Sequence, residues 1–275
     1  MPTANIRVDD ALFTLLEAIY STAKVNDIQW LLVGATARAL LFEQIYECKP
    51  GNRTSDVDFA VQVGTWKQYE ALCQSFEQQG FIKLHQRTPA KRYQTNDNLL
   101  FDLLPFGGIE IREKEVYWPP NNDELMTVRG FRSASLDAIA TTVNNRLIIP
   151  LVSVTGLFAL KVFAWDERHH QQRGRDASDL AYIINDIYSI PFMLDEHEEW
   201  VQQNDYDFQL AALAVLGTKV SQMLDDSDQQ YFKQIVQLQI TQGADGPLAR
   251  ELKHYLVTLS SETIIRILKT IIRAP

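Results

Sequence analysis

Three aspartates are placed where their side chains could do chemistry. Asp56 and Asp58 lie two residues apart in DVDFAVQV (56 to 63), and Asp102 sits inside NLLFDLLPF (98 to 106). In the first segment Val57, Phe59, Val61 and Val63 alternate with Asp56, Asp58, Ala60 and Gln62. That is the period of a half-buried strand. Two carboxylates at this spacing share one face, about 7 Å apart along the strand. Like charges so close repel unless a cation lies between them. A hard divalent ion such as magnesium takes few carboxylates and fills its shell with water and phosphate oxygens. The pair therefore reads as a metal platform for phosphoryl chemistry, against the alternative of a solvated strand face.

Three neighbours favour the first reading. Gly34 ends the apolar run WLLV (30 to 33) and opens a helix over 36 to 46. Such a junction offers backbone N–H groups and a positive helix end to a phosphate. Asp102, between Phe101 and Leu103, is costly if buried alone, and a shared metal would be a partner. Lys161, inside GLFALKVFAW (156 to 165), needs a phosphate or a carboxylate unless it snorkels to the helix edge. Arg168 follows on the same face, where a surface role is expected. Asp176 and Asp179 suit the first turn of the next helix; Asp176 is read toward the site and Asp179 as structural. Arg53 offsets the acidic strand. His169-His170 is read as a solvated loop. His85, Arg87 and Lys91-Arg92-Tyr93 could hold single-stranded nucleic acid, or form a solvated charged loop. Trp118 is read as a packing anchor.

The elements that must carry these residues follow from periodicity. Helices are predicted over 11 to 25, 36 to 46 and 65 to 79, the last capped by Gly80. Strands are predicted over 30 to 33, 56 to 63, 81 to 86, 98 to 106 and 147 to 152. Pro150 restricts the last to a sheet edge or a strand end. Residues 119 to 130 read as a connecting loop. From Val154 onward the pattern is helical, over 154 to 170, 176 to 188, 192 to 203, 207 to 224, 228 to 241 and 246 to 272. The expected fold is α+β. A small mixed sheet flanked by helices fills a domain over 1 to 150, and an α-helical domain follows over 151 to 275.

Bulk properties bound the function. Of 275 residues 46% are hydrophobic, enough for a sizeable core, and 22% are charged. A net charge of −9 argues against broad nucleic-acid binding through the whole surface, though not against a local basic patch. With no long apolar stretch and no secretion signal, a cytoplasmic protein without a membrane span is expected. The two cysteines, Cys48 and Cys73, fall in segments read as helical and make neither a zinc site nor a disulfide framework.

VGATARAL (33 to 40) followed by RTSDVDFAV (53 to 61) resembles the glycine-led turn and Asp-x-Asp strand of the polymerase-β-like nucleotidyltransferase superfamily. FDLLPFGGIE (101 to 110) is similar to its third-carboxylate strand. LFALKVFAWDERHHQQRGRDASDLAYII (157 to 184) resembles the helix pair of the abortive-infection branch, AbiEii and its MenT relatives. The likeness spans residues 28 to 190. It departs at the turn, which reads Gly34-Ala35-Thr36 where Gly-Ser or Gly-Gly is common, and in a longer loop from Glu47 to Ser55.

The resemblance implies two magnesium ions on Asp56 and Asp58, with Asp102 as third ligand or general base. Gly34, Ala35 and Thr36 would face the triphosphate, Lys161 would contact phosphate, and Asp176 would stand near the site. The implied reaction moves a nucleotide from a nucleoside triphosphate to an acceptor hydroxyl. RNA or transfer RNA is one acceptor, in a toxin–antitoxin setting whose antitoxin would be a separate chain. A small molecule such as an aminoglycoside, or a protein side chain, is another. A catalytically silent binding module is the reading from a different class.

Overall fold

The computed structural model describes residues 4–52, 54–84, 91–111, 114–119, 125–172, 174–193 and 198–273. Arg53, His85, Arg87 and part of the loop expected over 119 to 130 lie outside the described residues. The chain divides into two compact units, Met1–Ser153 and Val154–Pro275.

In the first unit the strands are β1 (Asn5–Ile6), β2 (Gln29–Val33), β3 (Asp56–Val63), β4 (Ile82–Leu84), β5 (Lys91–Gln94), β6 (Leu100–Gly107), β7 (Glu115–Tyr117), β8 (Leu125–Thr127), β9 (Ile139–Val143) and β10 (Leu147–Leu151). The helices are α1 (Asp10–Val25), α2 (Gly34–Ala39), α3 (Trp66–Gln78) and α4 (Phe131–Leu136). A π-helical turn over Leu40–Ile45 continues α2. Eight strands form one mixed sheet in the order β1-β9-β10-β2-β3-β6-β5-β4, larger than the small sheet expected; β7 and β8 pair apart. The α+β class holds.

Three expectations need correction or narrowing. β3 is buried on both faces rather than half-buried, because it lies inside the sheet between β2 and β6. β10 is interior, which sets aside the edge option for Pro150 and leaves the strand end, where it is the next-to-last residue. Its pairing with β2 is confined to Leu151↔Leu32, beyond the proline, so the missing N–H interrupts no bond on that side. Cys48 lies past the π-helical turn and is not helical, whereas Cys73 is buried in α3.

The core on one side of the central strands is aromatic. Phe59 of β3 meets Phe101 of β6 edge-on at 6.2 Å, and Phe76 of α3 lies 5.4 Å from Phe101. Tyr93 of β5 stacks on Phe101 at 5.4 Å and 21°. Each fully buried Phe contributes about 1.5–3 kcal/mol. Thr65 caps α3 by accepting from the Gln68 N–H, and Asp9 caps α1 by accepting from Leu12. Trp118 is indeed a packing anchor, 5.5 Å from Trp66 and 5.8 Å from Tyr69.

The second unit is helical: α5 (Val154–Arg168), α6 (Arg175–Asp186), α7 (Glu198–Gln203), α8 (Phe208–Met223), α9 (Asp226–Gln242), α10 (Pro247–Tyr255) and α11 (Ser261–Ile272). The single helix expected over 246 to 272 is two, because Ser260 starts a new one by accepting from the Thr263 N–H. Gly217 of α8 lets α11 approach so closely that a Cβ there would sit 2.0 Å from the Ile271 carbonyl oxygen. His169-His170 lie in the turn after α5, with His170 exposed as expected and His169 half-buried, stacked on Trp165 at 4.3 Å. No helix among the described residues is long and apolar enough to cross a membrane.

Candidate active site

The parallel pairing of β3 with β6 sets Asp58 directly beside Asp102, and Asp56 beside Leu100. Paired residues point to the same side of a sheet, and residues two apart on a strand share that side. Asp56, Asp58 and Asp102 therefore occupy one face, opposite the Phe59 and Phe101 core. Asp56 and Asp102 are buried, at 9% and 7% exposure, and Asp58 is half-buried.

Gly34 is packed against this face. Its φ of +75° is left-handed, and a Cβ there would lie 2.0 Å from Asp58 Oδ2. Only glycine combines that backbone with so close a carboxylate. Thr36 Oγ1 donates to the Asp56 carbonyl at 2.8 Å and braces the acidic strand. Ala35 sits between them, half-buried. The loop before β3 is tied down as well. Thr54 Oγ1 donates to Asp56 Oδ1 at 2.5 Å, Gly51 N–H to Glu43 Oε1 at 3.0 Å, and the buried Arg38 guanidinium to the Asn52 carbonyl.

The side chain that sequence reasoning missed is Arg92. β5 pairs with β6 so that Arg92 stands opposite Asp102. Its Nε donates to Asp102 Oδ1 at 2.7 Å, and its Nη2 donates to Asp102 Oδ2 at 2.5 Å and to Asp56 Oδ2 at 3.1 Å. One guanidinium thus joins carboxylates on two strands. The hydrogen bonds to Asp102 and the charges of Asp102, Asp56 and Asp58 raise the Arg92 pKa above its ordinary value, against burial, which lowers it. Arg92 and Tyr93 belong to a strand and not to a solvated or nucleic-acid-binding loop. Tyr93 is buried, with its hydroxyl on Glu77 Oε1 at 3.2 Å.

Among the described residues no three His, Cys, Asp or Glu side chains are grouped as a metal ion would need them. The donor kinds nevertheless fit a hard divalent ion: they are carboxylate oxygens, brought together on one face, with a cationic group already bonded to two of them.

Lys161 and Asp176 lie in the second unit, and the structure pairs them with one another. Lys161 Nζ is 3.2 Å from Asp176 Oδ1 and 2.5 Å from Asp179 Oδ2. Arg168 forks onto Asp176, with Nε to Oδ2 at 2.6 Å and Nη2 to Oδ1 at 2.7 Å. Lys161 therefore does not snorkel to the helix edge, and Arg168 has a partner beyond the surface role expected of it. Burial pushes the Asp176 carboxyl up. The hydrogen bonds from Arg168 and the charge of Lys161 outweigh this and hold it below its ordinary value.

No family model matches the chain, and neither does any curated protein. Solved structures similar to it include the antibiotic-resistance factor ANT(2'')-Ia, at 12% identity over 72% of this chain and 97% of that one, with a TM-score of 0.42. A Bradyrhizobium diazoefficiens CD-NTase, CdnG in complex with GTP, matches at 12% identity over 98% and 88%, with a TM-score of 0.33. A Thermotoga maritima CCA-adding enzyme complexed with tRNA matches at 14% identity over 96% and 80%, with a TM-score of 0.27. Scores below 0.5 mark a partial likeness, and the functional assignment rests on the strand carboxylates instead.

Proposed function

We propose that this chain is a magnesium-dependent nucleotidyltransferase that moves a nucleoside monophosphate from a triphosphate to an acceptor hydroxyl. The observation that supports it is the register of β3 on β6, which brings Asp58 beside Asp102 with Asp56 on the same face and Gly34 against Asp58. Asp56 and Asp58 would hold the metal, two ions in all, with Asp102 as third ligand or general base. Magnesium bound there would neutralise charge on the triphosphate.

The chain's own groups then divide the work. Gly34 and Ala35 present backbone to the triphosphate, while Thr36 keeps the Asp56 backbone in place. The acceptor oxygen attacks the α-phosphorus, its proton passes to a carboxylate oxygen of Asp102, and pyrophosphate leaves. Positioning supplies most of the acceleration. Lys161 enters as a phosphate contact on the family resemblance. Two of its three N–H donors already serve Asp176 and Asp179, which would hold its ammonium in place.

The acceptor we propose is RNA, transfer RNA included, in a cytoplasmic toxin of the AbiEii type neutralised by a separate antitoxin chain. The net charge of −9 favours a second reading, a small molecule or a protein side chain as acceptor. The test is incubation with magnesium and labelled triphosphates against bulk transfer RNA, an aminoglycoside and cell protein in turn. Label should pass to one of these, and Asp58→Asn should abolish it while its melting temperature stays close to that of the wild type. Undiminished transfer by that variant would refute the site.

A further inference from the structure

We propose that Arg92 is a built-in counter-cation, a guanidinium latch that holds Asp56 and Asp102 until a divalent ion displaces it. The inference rests on the proposed metal-dependent reading and adds a control that no motif in the sequence announces.

Arg92 Nη2 lies 3.1 Å from Asp56 Oδ2 and 2.5 Å from Asp102 Oδ2, bridging two strands as a metal ion would. Arg92 Nε takes the remaining oxygen of Asp102. Magnesium bonds its oxygens at about 2.0–2.1 Å and tolerates little departure from that geometry. It cannot accept those oxygens while a guanidinium lies among them. The guanidinium therefore occupies the place between Asp56 and Asp102, and one side-chain movement frees it.

Arg92 is able to make that movement. Its side chain is 22% exposed, against 12% for Asp56 and 10% for Asp102, so its route outward is toward solvent. The fork is well suited to phosphate once the carboxylates are given up. Binding of divalent ion to the resting protein is then weakened by the free energy of the latch. Arriving as a complex with a triphosphate, the same ion brings the anion that rehouses the guanidinium.

The experiment is calorimetric titration of the full chain with manganese alone, without nucleotide, on the wild type, Arg92→Gln and Arg92→Lys. Arg92→Gln should bind about tenfold to a hundredfold more tightly than the wild type, the span covered by hydrogen bonds to charged groups. Arg92→Lys, which keeps the charge and loses the fork, should fall between. Equal affinity in all three overturns the latch and leaves the metal reading standing, as does weaker binding in Arg92→Gln. No binding in any of them overturns the metal reading itself. Should Arg92→Gln fail to fold, the Arg92 Nε–H resonance of the wild type is followed by NMR during a magnesium titration. A shift that saturates with the ion supports the latch. Ion binding that leaves the resonance in place overturns it.

Discussion

Replacing Gly34 by alanine separates backbone strain from damage to the acidic face. The new Cβ would lie 2.0 Å from Asp58 Oδ2, where ordinary contact begins at 3.4 Å, so the carboxylate must withdraw by about 1.4 Å. A displacement of that order at a reacting centre costs about a hundredfold in rate. The backbone adds its own cost, because φ is +75° and an L-residue in the left-handed region loses about 1–2 kcal/mol. Gly80 provides the control. Its φ is +88°, but a Cβ there meets nothing within 4 Å. Gly80→Ala should therefore lose the same 1–2 kcal/mol or so of stability, a drop of several degrees in melting temperature, with nucleotidyl transfer and manganese affinity intact. Gly34→Ala should show a similar or larger thermal loss together with transfer reduced about a hundredfold. Thermal melts of both variants, paired with labelled-triphosphate transfer and metal titration, decide the matter. If Gly34→Ala melts lower but transfers as well as Gly80→Ala, the contact with Asp58 has no catalytic meaning and the reasoning fails.

In the helical unit, Lys161→Met takes the ammonium from buried Asp179 and Asp176, the latter keeping its fork to Arg168, and should cost about 3–5 kcal/mol by denaturant titration; adding Asp179→Asn should recover part of it, and a neutral Lys161→Met would contradict the ion network. The acid limb of stability carries the sign of Asp176, whose pKa is lowered on folding. Its contribution is fully present above the unfolded value of about 3.9 and is lost as pH falls through the lower folded value, so Asp176→Asn should melt lower near neutrality yet show a flatter loss in acid. Gly217→Ala would place a Cβ 2.0 Å from the Ile271 carbonyl oxygen, forcing α8 away from α11 at about 1–3 kcal/mol; an unchanged melting temperature would show that this crossing yields freely.

The acidic strand was legible because its signal is local. Strict alternation from Asp56 to Val63 gives the strand to the residue, and the apolar run around Asp102 gives its neighbour. Arg92 was not, because its meaning depends on a pairing. The segment before β6 looked like a basic cluster, yet Thr95-Asn96-Asp97-Asn98 is turn chemistry between a short aromatic run and a long apolar one. A hairpin folded about those residues pairs Gln94 with Leu100 and so sets Arg92 opposite Asp102. Pro150 left edge and strand end both open for a related reason: the choice depends on pairing, and here β2 meets only the last residue of β10, just beyond the proline. The break in the last predicted helix was readable in Ser260, whose capping role was masked by an apolar period that continues on both sides.

The two ion clusters differ in a way that bears on their roles. In the helical unit two carboxylates, Asp176 and Asp179, face two cations, Lys161 and Arg168, in pairs and a fork. Buried charge that is matched in this way is costly to break, because removing one partner leaves the other buried and uncompensated. On the sheet face a single guanidinium joins Asp56 to Asp102 while the charge of Asp58 adds to the same field. That cluster holds more negative than positive charge among these four side chains, and Gly34 is packed so as to keep Asp58 close. A fold selecting only for stability would replace such acids with apolar residues of similar volume, as the rest of β3 and β6 already shows. On the proposed reading, an acidic face bridged by Arg92 is what an arriving divalent ion would meet.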